Sequence, residues 1–203
     1  TLWLATIKDD DSFAGVSGLR GVNESLILGQ FPENKEYIDA TNLQRKKYKL
    51  LGDKAEVYKK DILIRYPFPE FQNENFLPES AVWDRIAADG YKLRWFGKII
   101  CICKYLDDGL TKNSGIDRNL RNFKGYTYVQ KLYVHLHGFP DNVLAIGRFI
   151  DLAKIKGLNN DEIKKELEIN SFKLIIGYMF GFIRKSIKRI IKMRGKICAK
   201  IYR

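Results

Sequence analysis

The feature that most limits what this chain can fold into is a change of hydrophobic period near residue 105. Ahead of it, β-branched and aromatic runs such as FAGVSGLRG (13–21), YKLRWF (91–96) and KIICICKY (98–105) alternate with segments of helical spacing. Beyond it, apolar residues recur only at helical intervals. A chain so patterned is α/β in its front part and helical behind, with no repeat and no low-complexity linker between. Its 203 residues, 45% of them hydrophobic, suffice for one domain with an appendage.

Local signals fill in the order. LWLATIK (2–8) reads as the end of a helix running into the polar turn Asp9-Asp10-Asp11-Ser12, and FAGVSGLRG as a buried strand. SLILGQ (25–30) and EYIDAT (36–41) read as short strands or loops, and NLQRKKYKLL (42–51) has helical spacing. In AEVYKKDILIRY (55–66), Val57, Ile62 and Leu63 suggest one short helix that halts before Pro67 and Pro69. The helix beginning at Pro78-Glu79 follows, then the two strand-like runs separated by Gly97. LDDGLTKNSGIDRN (106–119), rich in Gly, Asp and Asn, reads as a mobile loop. Helices resume near Tyr126, break at Gly138-Phe139-Pro140, restart at Asp141 as N-cap, and stop at Gly157. Asn159 with Glu162 three residues later forms a capping box that starts another helix.

Charge is concentrated at one end. From Ile169 onward there are ten Lys and Arg and no acidic residue, so this tail carries ten of the twelve net positive charges. With Ile183 set at 0° on a helical projection, Ile176, Phe180, Ile187, Ile190 and Ile191 lie within about 80°. Arg184, Lys185, Lys188, Arg189, Lys192 and Lys196 lie between about 100° and 240°, and Arg194 is the exception. A basic amphipathic helix of this kind suits a membrane interface, with anionic lipid contributing about 1 kcal/mol per nearby cation. The alternative is a helix packed on its own domain with a charged outer face. Residues 155–179 also have the outline of a helix-turn-helix, but the second helix offers only Ser171 and Lys173 before solid hydrophobe, which disfavours nucleic acid as partner.

Candidate chemistry centres on Glu79. A Pro-Glu pair opening a helix ordinarily just complements the helix dipole, and the same dipole keeps the carboxylate ionised. Asp84 reads as a surface charge and Glu74 as the nearest rival carboxylate. His135 and His137 read as helix-surface residues, since no neighbouring Cys or carboxylate completes a metal site. Cys101, Cys103 and Cys198 form neither a disulfide framework nor a zinc spacing, and we take them as reduced. No run reaches the roughly 20 apolar residues of a membrane span, and no signal pattern opens the chain, so a cytoplasmic location is expected.

Three ordered segments carry a resemblance: GDKAEVYKKDIL (52–63), PFPEFQNENFLPESAVWDRIA (67–87) and CKYLDDGLTKN (103–113). Together they resemble the C-terminal half of the catalytic domain of bacterial family 2 glycosyltransferases, over residues 1–125. The resemblance implies a partial GT-A (nucleotide-diphospho-sugar transferase) fold lacking its N-terminal nucleotide-binding half. Residues 126–170 are then a helical extension and 171–203 the basic helix.

It further implies inverting transfer of a sugar from a nucleotide-sugar donor to a saccharide or lipid-linked acceptor, in cell-surface polysaccharide or glycolipid synthesis. Glu79 would be the catalytic base, Asp53 and Lys54 would bind acceptor, and Lys112, Arg118 and Arg121, on a lid, would face the donor diphosphate. A divalent metal (Mg or Mn) is expected in the full-length enzyme, but its Asp-x-Asp ligands are not found here; Asp9-Asp10-Asp11 has that form in the wrong context. The simplest reading is an enzyme truncated just after its metal motif, peripheral at the inner face of the membrane. The alternative is a non-enzymatic membrane-surface or nucleic-acid-binding module.

Overall fold

The computed structural model describes residues 2–104 and 115–201, which form a mixed α/β protein of two compact units. The first unit takes residues 1–70 and 78–114, the second 71–77 and 115–203.

The first unit opens with one helical turn, α1 (Leu2–Ala5), then β1 (Phe13–Gly21), β2 (Tyr37–Ala40), a single 3-10 turn at Asn42–Gln44, and β3 (Lys54–Tyr58). Helices α2 (Lys60–Arg65) and α3 (Ser80–Ala88) and strand β4 (Lys92–Ile102) complete it. The four strands form one mixed sheet in the order β2-β4-β1-β3. β1 runs parallel to β4 and antiparallel to β3, and β2 is antiparallel to β4. β1 is central, and eight of its nine residues are buried, as its mixture of small and apolar residues implies.

One core of this unit joins Ala14, Leu93 and Trp95 of the sheet to Ile62, Val82 and Ile86 of α2 and α3. Trp95 is 1% exposed, and its indole N–H donates to Ala40 O at 2.9 Å, so burial leaves no polar debt. A second cluster gathers Ile7, Phe13, Val16 and Phe96, with Trp3 stacked on Phe96 at 4.2 Å between centroids.

Several local expectations give way to tertiary pairing. The helix expected over 55–66 is instead β3 followed by α2, because residues 54–58 ladder against β1 with Ser17 opposite Glu56. NLQRKKYKLL yields only the 3-10 turn at its start. SLILGQ contributes one isolated bridge, Ile27 to Gly21. The runs 91–96 and 98–105 merge into the single strand β4, in which Gly97 marks a bulge: β1 advances from Ser17 to Leu19 while β4 advances from Trp95 to Ile99. A Cβ at Gly97 would meet the Phe31 ring at 2.6 Å, so glycine serves close approach here rather than a chain break.

The second unit is helical: α4 (Ile116–Arg121), α5 (Phe123–Leu136), α6 (Asp141–Ile155), α7 (Asn160–Leu167) and α8 (Ser171–Ile201). Its core is built from Val134, Ala145, Ile146, Phe149, Ile150, Ile163, Leu167 and Leu174. Residues 116–119, expected within a loop, are the first turn of α4; the rest of that expected loop from 106 to 114 lies outside the described residues. Asp141 is the first helical residue of α6 rather than its cap, Pro140 holding that place. The Asn159–Glu162 capping box forms as read: Asn159 Oδ1 accepts from Glu162 N at 3.0 Å, and Glu162 Oε2 accepts from Asn159 N at 2.7 Å.

Candidate functional site

β3 presents Lys54, Glu56 and Tyr58 on one face, since alternate residues of a strand share a side. Their partners on β1 are Leu19, Ser17 and Gly15, and Ser17 also pairs with Trp95 of β4. The row therefore shares the Trp95 face, and Tyr58 stacks on Trp83 of α3 at 4.1 Å. Gly52 makes the entry to this row possible. It sits at φ +89°, and a Cβ there would come within 2.3 Å of Gly29 Cα.

Cations gather around it. The Arg45 guanidinium lies 5.3 Å from the Trp95 ring centre; its Nε donates to Leu50 O at 3.0 Å, and its Nη2 donates to Gly52 O. Lys54, 4% exposed, donates from Nζ to Leu51 O at 2.8 Å. Burial and, after it, the Arg45 charge bring the Lys54 ammonium down to about 8. Burial pushes the Glu56 carboxyl up from the ordinary range; Arg45 and Arg20 oppose that shift, and the charge of Glu79 adds to it. Tyr58 is raised as well, by burial first and then by Glu56. Arg20 Nε and Asn42 Oδ1 are buried without a hydrogen-bond partner among the described residues.

Glu79 stands where α3 begins. Its backbone is already helical (φ −59°, ψ −24°), and its carbonyl accepts from Val82 N at 2.9 Å and Trp83 N at 3.0 Å. Ser80 is the first residue of the helix proper, which moves Glu79 from the first turn to the cap position without removing it from the positive end of the dipole. The side chain is exposed and makes no capping hydrogen bond, so its carboxylate is not consumed by the helix it heads.

The other expected residues distribute differently. Asp84 is not a surface charge: it is 1% exposed and accepts from Asn42 Nδ2 at 2.6 Å, because it falls on the inward face of α3 with Ala81 and Ala87. Glu74, the rival carboxylate, lies in the second unit and accepts from Lys124 N at 2.7 Å and Gly125 N at 2.8 Å, capping α5. Asp53 is exposed at the start of β3, next to Lys54, whose ammonium is turned into the fold. Arg118 and Arg121 belong to the last turn of α4 in the second unit, and Arg118 stacks 4.0 Å from the Phe76 ring centre. Lys112 lies outside the described residues.

Asp10 Oδ1 accepts from Ser12 N at 2.9 Å and Ser12 Oγ at 2.6 Å, closing a turn that occupies the central carboxylate of the Asp triplet. Among the described residues no group of three His, Cys, Asp or Glu side chains is placed to hold an ion. His135 Nε2 bonds Leu167 O at 2.9 Å, and His137 stacks on Tyr133. Cys101 and Cys103 are free thiols.

Sequence reasoning placed Glu56 beside Asp53 and Lys54 without giving it a role, and missed Arg45. The available signal was the acidic residue in a segment of strand-forming composition next to Gly52, but its burial depends on β1, which lies forty residues earlier in the chain. The chain has no significant match to a family model, a curated protein or a solved structure.

Proposed function

We propose that this chain supplies the acceptor side of an inverting glycosyltransferase, a partial GT-A domain in which Glu79 is the base. The observation that carries the reading is an exposed carboxylate at the head of a rigid helix, making no capping hydrogen bond and carrying charge that acts on a second carboxyl, Glu56 of β3. Glu79 takes the proton of an acceptor hydroxyl; the oxygen attacks the anomeric carbon, and the bond from that carbon to the diphosphate breaks with inversion. The nucleoside diphosphate leaves with the electron pair.

Rigidity favours the role. α3 is held by the Asp84–Asn42 hydrogen bond and by the stack of Trp83 on Tyr58, and a base is effective only when its geometry is fixed. Glu56, whose carboxyl is raised by burial, is a second polar group on the same sheet face, which suits a polyhydroxylated ligand. Lys54 holds the Leu51 carbonyl and so shapes the turn beside Asp53, the other residue expected to meet acceptor.

The test is sugar transfer by the protein carrying this chain, from a panel of nucleotide-diphospho-sugars to saccharide acceptors. Glu79→Gln is expected to lower turnover by about 10²–10⁴-fold while donor binding and melting temperature stay put. Unchanged turnover removes Glu79 as base.

A further inference from the structure

We infer that α8 docks on an anionic lipid surface through the face it turns away from α6. Packing fixes which face that is. Gly147 of α6 meets Gly177 and Gly181 of α8 so closely that a Cβ on Gly177 would fall 2.2 Å from Ile146 Cγ2, and Leu174 is buried beside them. Asp151 of α6 pairs with Arg184 and with Lys185 of α8. The glycine stripe and these two cations therefore mark the inner side of α8.

The outer side is apolar. Phe172 is 70% exposed and Phe182 73%, and Ile175, Met179, Ile183 and Ile187 are exposed with them. With Phe172 at 0° on a helical projection, these six span from about −80° to +60°, whereas Leu174, Gly177 and Gly181 lie between about 140° and 200°. Exposed Lys173 at about +100° and Arg189 at about −100° flank the apolar arc on both sides. This arc reaches Phe172, Ile175, Met179 and Phe182, which the sequence projection centred on Ile183 did not include. Lys188, Ile190, Ile191, Lys192 and Lys196, which that projection did include, lie outside the residues whose side chains are described.

Charge selects the occupant. Two such helices face to face would bring together two tails that each carry ten cations and no acidic residue from Ile169 onward, so a second copy is repelled. A bilayer carrying anionic headgroups accepts both features: the arc enters the acyl boundary, and the flanking cations extend to the phosphates. Among the described residues no helix is long and apolar enough to cross a membrane, so α8 lies along the surface.

The experiment is sedimentation of the whole 203-residue chain with vesicles of phosphatidylglycerol and phosphatidylcholine, against vesicles of phosphatidylcholine alone. Expected are pelleting with the anionic vesicles only, weakening when salt cuts the screening length from about 10 Å to about 3 Å, and a loss of about tenfold or more in Met179→Glu/Phe182→Glu. Both positions are exposed, and circular dichroism checks that the double variant stays folded; Phe172→Glu/Ile175→Glu repeats the test on the first turns of α8. Three results overturn the inference: no pelleting with anionic vesicles, pelleting that both variants leave unchanged, or a dimer in light scattering that the same variants dissolve. None of these readouts involves sugar transfer, so failure here leaves the role of Glu79 standing.

Discussion

Asp84 and Asn42, 42 residues apart in the chain, are joined by a 2.6 Å hydrogen bond that ties α3 to the 3-10 turn after β2. A buried carboxylate stripped of its amide partner keeps its desolvation cost without the compensating bond. Asn42→Ala is therefore expected to lower unfolding free energy by about 1–3 kcal/mol. Asp84→Ala should cost a similar amount, and the double variant less than the sum of the two. Denaturant titrations of the four proteins check this, and additive losses would show that the bond is energetically silent.

Glu74 holds two backbone N–H groups at the start of α5, so removing its carboxylate leaves helix donors unsatisfied. Glu74→Ala should destabilise the protein by about 0.5–2 kcal/mol, with Glu74→Gln recovering part of that. Thermal melts measure it. Under the proposed function, turnover per folded molecule should be unaffected, which separates this carboxylate from Glu79.

Glu56 gives a pH dependence whose sign follows from its environment. Its folded-state carboxyl titrates above the ordinary 4.5, so the unfolded chain loses this proton first as pH rises. Its contribution to stability is complete below that ordinary value and is lost as pH climbs through the raised one. Glu56→Gln, which mimics the protonated state, should accordingly stabilise the protein at pH 7 and lose its advantage by about pH 4. Urea midpoints at the two pH values decide it. An advantage that grows on acidification would mean that Arg45 and Arg20, not burial, dominate the site.

Some local signals in the sequence were read correctly because they act over a few residues. The Asn159–Glu162 box, the stop at Gly157 with φ +84° and the buried strand 13–21 all rest on caps, dihedral preference or a local run of small and apolar residues. The start of α3, read at Pro78-Glu79, was legible to within two residues for the same reason. Candidate site residues were less so: Glu79 was found from its helix signal, whereas Glu56 needed a strand partner and Asp84 a partner 42 residues away.

By itself the sequence determined the class, sheet with helices in front and helices behind, because periodicity encodes which face each segment buries. It also determined that positive charge belongs to the last helix. Only the tertiary structure decided that 54–58 is a strand, that Glu74 is spent on α5 while Glu79 is not, and that the apolar face of α8 points outward. Each of these depends on what lies opposite in space, and for Glu74 that partner is 51 residues along the chain, beyond the reach of any local pattern.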